Sequence, residues 1–192
     1  HAHSIDRSLI MASDKITIEY TGADVVERLR RLADGLGPAG LRPALREIGE
    51  DLAESTKRRF ATSTAPDGSR WAPNAQATYL GMLGRADSRS DGRLNAHGSA
   101  RVMAKRPLVA SGMMGDQILY QLIEGGVEIG SNLVYAGTHQ FGARQGAFGR
   151  TSRGAPIPWG DIPARPFLGL SADDEAAVLD ILDDHLAGLL GG

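Results

Sequence analysis

Cysteine is absent from this sequence, which excludes disulfide frameworks, cysteine-ligated zinc ribbons and thiol nucleophiles. No stretch approaches the roughly 20 consecutive apolar residues that a membrane-spanning helix requires, so no membrane partner is expected. Residues 1–10 lack the charged-then-apolar order of a secretory signal, and Met11 is expected to be the natural start of translation. Residues 1–14 are therefore predicted to be a leader that is disordered or left by an expression vector.

The rest of the composition predicts one domain with its own core. The chain has 192 residues, 42% of them hydrophobic, which is enough to fold without a disulfide or a metal. Charge is unevenly distributed, although the net charge is only −2. Arg85 to Arg106 holds six basic and two acidic residues, whereas Pro166 to the C-terminus holds six acidic residues and no lysine or arginine. Such patches are either solvated surface or complementary faces that steer identical subunits together.

A strand and two helices are predicted before residue 63. Lys15–Thr21 alternates apolar and polar residues, as a half-buried strand does. A helix follows through Leu36, and a longer one covers Leu41–Thr62, because apolar residues recur three or four positions apart. The glycine-rich GLGPAG segment, Gly35–Gly40, is predicted to break the helical pattern between them.

The middle of the chain has little periodic pattern. Ser63–Pro107 is rich in Ser, Gly, Ala, Asp and Arg, and is predicted to be a long loop with at most a short helix around Ala75–Leu83. Strand character returns at Leu108–Ser111.

The C-terminal half predicts a hairpin and a final helix. Ile118–Ile123 and Val127–Ile129 are strand candidates joined by the turn Glu124-Gly125-Gly126. Ser171 is suited to cap the last helix with Asp174 three residues on, and the acidic first turn complements the helix dipole. The predicted fold class is α+β: a single small domain at 15–190, with a short antiparallel sheet packed by three helices. Two long flexible arms are expected at about 63–107 and 143–157.

Candidate catalytic motifs are weak. GLGPAG matches G-x-G-x-x-G by letter, but a helix precedes it and Pro38 lacks an N–H for a pyrophosphate, so it is interpreted as a hinge. His139 has no second ligand at metal-binding spacing and is interpreted as a hydrogen-bonding residue that fastens its turn to the sheet. His185 is interpreted as a solvated histidine, and Ser111 lacks the nucleophile-elbow context.

The paired carboxylates do not indicate a catalytic site either. The pairs Asp173/Asp174 and Asp183/Asp184 are adjacent on a helix, where neighbouring side chains diverge by about 100°. Catalytic carboxylates must instead converge on a substrate. We therefore expect no catalytic residue, no cofactor and no metal.

Two tryptophans lie on proline-braced loops. Trp71 follows the turn PDGSR, and Trp159 lies between Pro158 and Gly160. Each is either a plug that pins its loop to the core or an anchor that docks on a neighbour.

The basic loops raise the alternative of a nucleic-acid-binding module from a mobile element. Arg85 to Arg106 has almost no aromatic residues for base stacking, and the sequence pI is about 6.2. Sequence-specific binding is not expected, although incidental contact with packaged DNA is compatible with these arginines.

Two motifs in the last third carry a family resemblance. SNLVYAGTHQFG, Ser131–Gly142, is predicted to be one helical turn, and IPARPFLGLS, Ile162–Ser171, an extended strap that feeds apolar residues into the core. In this order, and after PDGSRWAP, LVASGMM and VEIGS, they resemble the phage virion morphogenesis (tail completion) family of Mu-like and P2-like contractile-tailed phages. The resemblance spans roughly residues 20–188.

The resemblance implies a non-enzymatic subunit that completes the phage tail or joins it to the head. Its expected partners are copies of itself in a ring and other tail or head–tail connector proteins, and its expected location is the tail or neck of the virion after assembly in the host cytoplasm. The chain departs from the simplest family pattern by insertions at about 85–105 and 143–155. With Trp159 added from the loop argument, the expected interface or structural anchors are Trp71, Tyr135, His139, Phe141, Gly142, Trp159, Arg165, Pro166 and Phe167.

Overall fold

A computed structural model describes residues 22–109 and 113–190 of the chain. The predicted leader at 1–14 and the predicted strand at Lys15–Thr21 lie outside these residues. Within them the chain combines several helices with a two-stranded antiparallel sheet, which confirms the α+β prediction. None of the described helices is long and apolar enough to cross a membrane.

Helix α1, Ala23–Thr62, contains both helices predicted before residue 63. They meet at Gly37, whose φ of 70° and ψ of 174° interrupt the helical backbone inside the predicted GLGPAG break. Glycine adopts a positive φ without a steric penalty from Cβ, which explains why the interruption falls there. Beyond the break, residues three or four apart face the interior, and Leu41, Leu45 and Ile48 are buried.

The C-terminal helix α6, Ala172–Leu190, packs along α1. It buries Val178 and Leu182 in an apolar cluster shared with that helix. The predicted cap is present, because Ser171 Oγ accepts the Asp174 N–H at 3.1 Å and an Asp174 carboxylate oxygen accepts the Ser171 N–H at 2.8 Å. This reciprocal pair satisfies two backbone donors at the helix start.

Strands β1, Ile118–Ile123, and β2, Gly126–Ser131, form the predicted hairpin, with the second strand longer than expected. The sheet lies against α1 through Tyr120, whose ring covers Gly49. A Cβ atom at position 49 would lie 2.4 Å from that ring, so a side chain there would force the helix and sheet apart.

The first arm, residues 63–107, is more structured than predicted. Helix α2, Gln76–Met82, lies at the expected helical patch, but helix α3, Ala96–Ala104, has no counterpart in the sequence prediction. The strand predicted at Leu108–Ser111 is not formed in its described part, since Leu108 lies in a turn with a φ of 60°. The short helix α4, Met113–Asp116, precedes the hairpin.

A buried carboxylate organises the distal part of this arm. Asp87 is 1% exposed and accepts hydrogen bonds from the Gly84 N–H and the Arg101 guanidinium. The Gly84 hydrogen bond, assisted by His97 and Arg101, holds the pKa of Asp87 below its ordinary value against the opposing effect of burial. Gly98 permits the close packing, because a Cβ there would lie 2.3 Å from the Asp87 carbonyl oxygen.

The second basic stretch is also built differently from the prediction. Residues 143–162, here called the hairpin arm, fold back on themselves, whereas the sequence suggested an unstructured loop at 143–157. Ala143 and Ile162 exchange two backbone hydrogen bonds at the base, and Phe148 N–H donates to the Ile157 carbonyl farther out at 2.8 Å. Thr151 N–H donates to the Ala155 carbonyl near the tip, also at 2.8 Å.

Candidate functional site

The strap, residues 162–171, is held against the core by the amide of Gln140. Helix α5, Ala136–Phe141, places this side chain at 5% exposure. Its carbonyl oxygen accepts the N–H groups of Phe167 and Leu168 at 2.9 and 3.0 Å, and its amide nitrogen donates to the Leu168 carbonyl at 3.0 Å. A glutamine side chain carries an acceptor oxygen and a donor nitrogen on the same amide group, and this pattern of hydrogen bonds uses both. Gln140 therefore fastens α5 to the strap.

Gln140→Met, which keeps the approximate size of the side chain, is expected to lower the free energy of unfolding by about 2–3 kcal/mol. It leaves three buried backbone groups of the strap without their partner, and each such group is costly to bury unpaired. Gln117→Met, at an exposed position between α4 and the sheet, is the control. Equal chemical denaturation midpoints for the Gln140 variant and the parent would contradict this role.

A buried ion pair joins α1, α6 and the strap. Arg59 and Asp174 are 6% and 3% exposed and form a salt bridge, and Asp174 also accepts the Ser55 hydroxyl. Arg59 donates further hydrogen bonds to the Phe167 and Gly169 carbonyls at 2.7 and 2.8 Å. Asp174 therefore belongs to the interior, which corrects its assignment to an exposed acidic surface.

Burial and hydrogen bonding act in opposite directions on the pKa values of Arg59 and Asp174. Desolvation raises the pKa of Asp174, but hydrogen bonds from Ser55 and Ser171 and the charge of Arg59 outweigh it, so the pKa lies below its ordinary value. Burial lowers the pKa of Arg59, with Asp174 acting in the opposite direction. Four further groups satisfy the pair, namely the Ser55 hydroxyl, the Ser171 N–H and the Phe167 and Gly169 carbonyls. Such compensation is the condition under which buried charges are tolerated.

Trp71 is buried and pins its loop to the core, which is the first of the two roles that its sequence context allowed. It is 6% exposed, its Nε1–H donates to the Pro166 carbonyl at 2.7 Å, and its ring meets Phe60 edge-on at 5.3 Å. Phe167, fully buried, packs against the same Phe60 ring at 5.3 Å. Arg165 completes the contact by donating to the carbonyls of residues 72 and 73, both at 2.8 Å.

His139 contacts Arg165 of the strap through its backbone rather than through its side chain. Its backbone carbonyl accepts the Arg165 N–H at 2.7 Å, whereas its buried Nδ1 has no hydrogen-bond partner among the described residues. The side chain packs edge-on to Tyr135 at 6.1 Å. His139 Nδ1 therefore makes no hydrogen bond to the sheet among the described residues, and it is the neighbouring Gln140 whose side chain joins α5 to the strap.

Burial, assisted by the charge of Arg165, lowers the pKa of His139 below its ordinary value of 6.5. The unfolded chain therefore takes up a proton near pH 6.5 before the folded chain does, so this group destabilises the fold as the pH drops below that value. His139→Phe should remove this part of the pH dependence and leave stability at pH 8 equal or higher. Thermal melts from pH 8 to 5 test it. A parallel decline in parent and variant would contradict the assignment.

Gly142 is required where α5 ends. It has a φ of 74°, and a Cβ atom there would lie 2.7 Å from the Ile162 carbonyl oxygen and 2.8 Å from the Ala164 nitrogen. The glycine thus lets the base of the hairpin arm cross closely over the end of α5. Beside it, Phe141 is 54% exposed and Tyr135 is 39% exposed, so these two aromatic rings remain available at the surface.

Trp159 lies apart from the other anchors. It is on the hairpin arm and is 78% exposed. The structure therefore separates the predicted residues into an internal set, namely Trp71, His139, Gly142, Arg165, Pro166 and Phe167, and an exposed set, namely Tyr135, Phe141 and Trp159.

The described residues contain no group of three or more His, Cys, Asp or Glu side chains that could hold a metal ion. An open cleft of about 270 Å³ lies at the base of the hairpin arm. Its lining residues are Phe141, Gly142, Ala143, Arg144, Asp161, Ile162 and Ala164. Its lining does not include His139, so the histidine and the cleft do not form a common site.

Comparison with known proteins agrees with this architecture. The model of the phage virion morphogenesis family matches residues 21–187, which include α1, the sheet, α5, the strap and most of α6. The chain belongs to the phage virion morphogenesis family.

Two curated relatives cover different shares of the chain. It is 27% identical to "Tail completion protein S" of Escherichia phage P2 over 160 residues, which are 83% of this chain and 93% of the relative. It is 40% identical to "Mu-like prophage FluMu G protein 2" of Haemophilus influenzae over 62 residues, 32% of this chain and 38% of that one. No solved structure gives a significant match.

Proposed function

We propose that this protein is a non-enzymatic structural subunit that completes the tail of a contractile-tailed phage or joins it to the head. The observation that carries the proposal is the similarity to a tail completion protein across 83% of this chain and 93% of that relative. A match of this extent covers nearly the whole length of the relative rather than one shared motif. The proposed location is the tail or neck of the virion, reached after assembly in the host cytoplasm.

The arrangement of the chain supports a subunit that assembles with copies of itself and with other tail or connector proteins. Arg59, Gln140 and Trp71 fix the strap to the core, so the outward-facing hairpin arm starts from a rigid base. Closed rings arise when one surface of a subunit meets a different surface of the next. On this proposal the arms gain protection from proteases as neighbours cover them.

The nucleic-acid-binding alternative receives less support. Of the six basic residues between 85 and 106, Arg101 pairs with Asp87, Lys105 donates to the Val109 carbonyl and Arg106 donates to the Ala61 carbonyl. The remaining three, Arg85, Arg89 and Arg93, are exposed. They suit incidental phosphate contact, and binding through them would weaken steeply with added salt.

Removing the gene from the phage or prophage that encodes it tests the proposal. We expect lysates with filled heads and separate or incomplete tails, visible by negative-stain electron microscopy, and infectivity restored by expression of the protein in trans. The Gln140→Met variant should restore it poorly, whereas Gln117→Met should restore it fully. Normal numbers of infectious particles without the gene would contradict the proposal.

A further inference from the structure

We infer that the hairpin arm of one subunit docks on the outer face of α6 of a second copy, and that this contact is the repeating interface of the assembly. The outer face of α6 is defined here by Asp173, Ala176, Asp180, Asp184 and Ala187, all exposed. The inference rests on the proposed function, and it specifies which surfaces join neighbouring subunits.

The hairpin arm is a preorganised surface. Gln145 links its two sides, since its backbone N–H donates to the Asp161 carboxylate and its side-chain amide donates to the Trp159 carbonyl, both at 2.7 Å. Gly146 N–H adds a bond to the Pro158 carbonyl at 3.1 Å. A surface already held in shape loses little conformational entropy on binding.

The hairpin arm exposes both large apolar side chains and arginines. Phe148, Ile157 and Trp159 are 55%, 38% and 78% exposed. Residues 144, 150 and 153 are exposed arginines, of which Arg150 also donates to the Gly154 carbonyl within the arm at 2.8 Å. The arm has one carboxylate, Asp161, which already accepts a hydrogen bond within the arm. Aromatic and arginine side chains are the residue types that most often dominate binding energy at protein interfaces.

The outer face of α6 has the complementary properties. Its positions recur three or four residues apart, so they form one stripe along the helix, opposite the stripe that packs on α1. Carboxylates at 173, 180 and 184 alternate with alanines at 176 and 187, which leave shallow spaces for larger apolar groups. Asp174 and Asp183 do not belong to this face, because they pair with Arg59 and Arg28.

The charges favour a head-to-tail contact between copies over a symmetric one. Two hairpin arms meeting face to face would oppose arginines, and two α6 faces would oppose carboxylates, both of which are unfavourable. An arm on a neighbouring α6 pairs opposite charges instead, and the resulting pair of subunits retains one free arm and one free α6 face. Such contacts propagate until a ring closes.

Charge reversal in two separate variants tests the interface. One variant carries Arg144→Glu, Arg150→Glu and Arg153→Glu, and the other carries Asp173→Lys, Asp180→Lys and Asp184→Lys. Light scattering is expected to find each variant monomeric at concentrations where the parent assembles. Their equimolar mixture should recover assembly, because the intact arm meets the intact α6 at one contact and the reversed arm, now acidic, meets the reversed α6, now basic, at the next.

Matched controls separate this inference from the proposed function. Arg85→Glu, Arg89→Glu and Arg93→Glu change the charge by the same amount on the first arm, and this variant should assemble as the parent does. Trp159→Ala should raise the dissociation constant more than about tenfold. Circular dichroism verifies that each variant is folded.

Either of two outcomes overturns the interface. Rings from both reversed variants would refute it while leaving ring assembly intact, and would assign the hairpin arm to another tail protein or to DNA. A parent that stays monomeric up to millimolar concentration would refute ring assembly itself, and the interface with it.

Discussion

Replacing Arg59 with methionine is expected to lower the free energy of unfolding by about 3–5 kcal/mol, since removing one member of a buried ion pair leaves the other charged and unpaired. The change strands the Asp174 carboxylate and removes the donor from the Phe167 and Gly169 carbonyls. Methionine keeps much of the aliphatic volume, so the loss is mainly polar. Arg58→Met, at the exposed neighbouring position, should cost less than about 0.5 kcal/mol.

The acid limb of the stability profile checks the same pair. Because the pKa of Asp174 is depressed in the folded state, its stabilising contribution is complete above the ordinary value of 3.8 and is lost as the pH falls through the folded pKa. In the Arg59 variant the carboxyl group loses its cationic partner, so its protonation and this acid-dependent loss should move to higher pH. Denaturant titrations at several pH values between 2 and 7 measure both effects. A cost under 1 kcal/mol at pH 7 would contradict the role of the pair.

Local patterns in the sequence predicted the regular elements well. The break at Gly37, the hairpin between Ile118 and Ser131 and the Ser171 cap all follow from residues close together in the chain. Helix periodicity, a two-residue turn and a capping box are local properties, so no tertiary information was needed to find them.

The contacts that hold the strap could not be predicted in this way. Arg59 and Asp174 are 115 positions apart, and Gln140 is 28 positions from Leu168. The family motif marks the region around Gln140, but nothing local in the sequence distinguishes the glutamine from the histidine beside it. Helix α3 could not be predicted from local pattern either. It contains Gly98 and is only nine residues long, so its intrinsic helix propensity is low. Its formation depends instead on the contact between Arg101 and Asp87.

The structure also changes what the acidic C-terminus can do. The sequence presents six carboxylates as one patch, whereas Asp174 is buried and Asp183 is bound to Arg28 at 2.6 Å. What remains outward is a narrower stripe with alanines between the charges. The positions of these exposed residues define one half of the proposed interface, which the net charge of the C-terminal segment does not.

Substitution by alanine should have different consequences at the two tryptophans, because it should reduce stability at position 71 and assembly at position 159. Trp71→Ala is expected to cost about 3–5 kcal/mol of stability, since it opens a cavity beside Phe60 and Phe167 and removes the hydrogen bond to the Pro166 carbonyl. Trp159→Ala should change stability by less than about 0.5 kcal/mol, because that side chain is 78% exposed. Chemical denaturation of dilute, monomeric protein measures both values.

Assembly should show the reverse order among folded molecules. The Trp159 variant is expected to remain folded and to assemble poorly, whereas the folded fraction of the Trp71 variant should associate as the parent does, because its tryptophan faces the interior. Sedimentation at a temperature where both variants are folded separates the two properties. A Trp159 variant that assembles with parental affinity would remove the exposed ring from the interface, and a stable Trp71 variant would show that the strap does not depend on its plug.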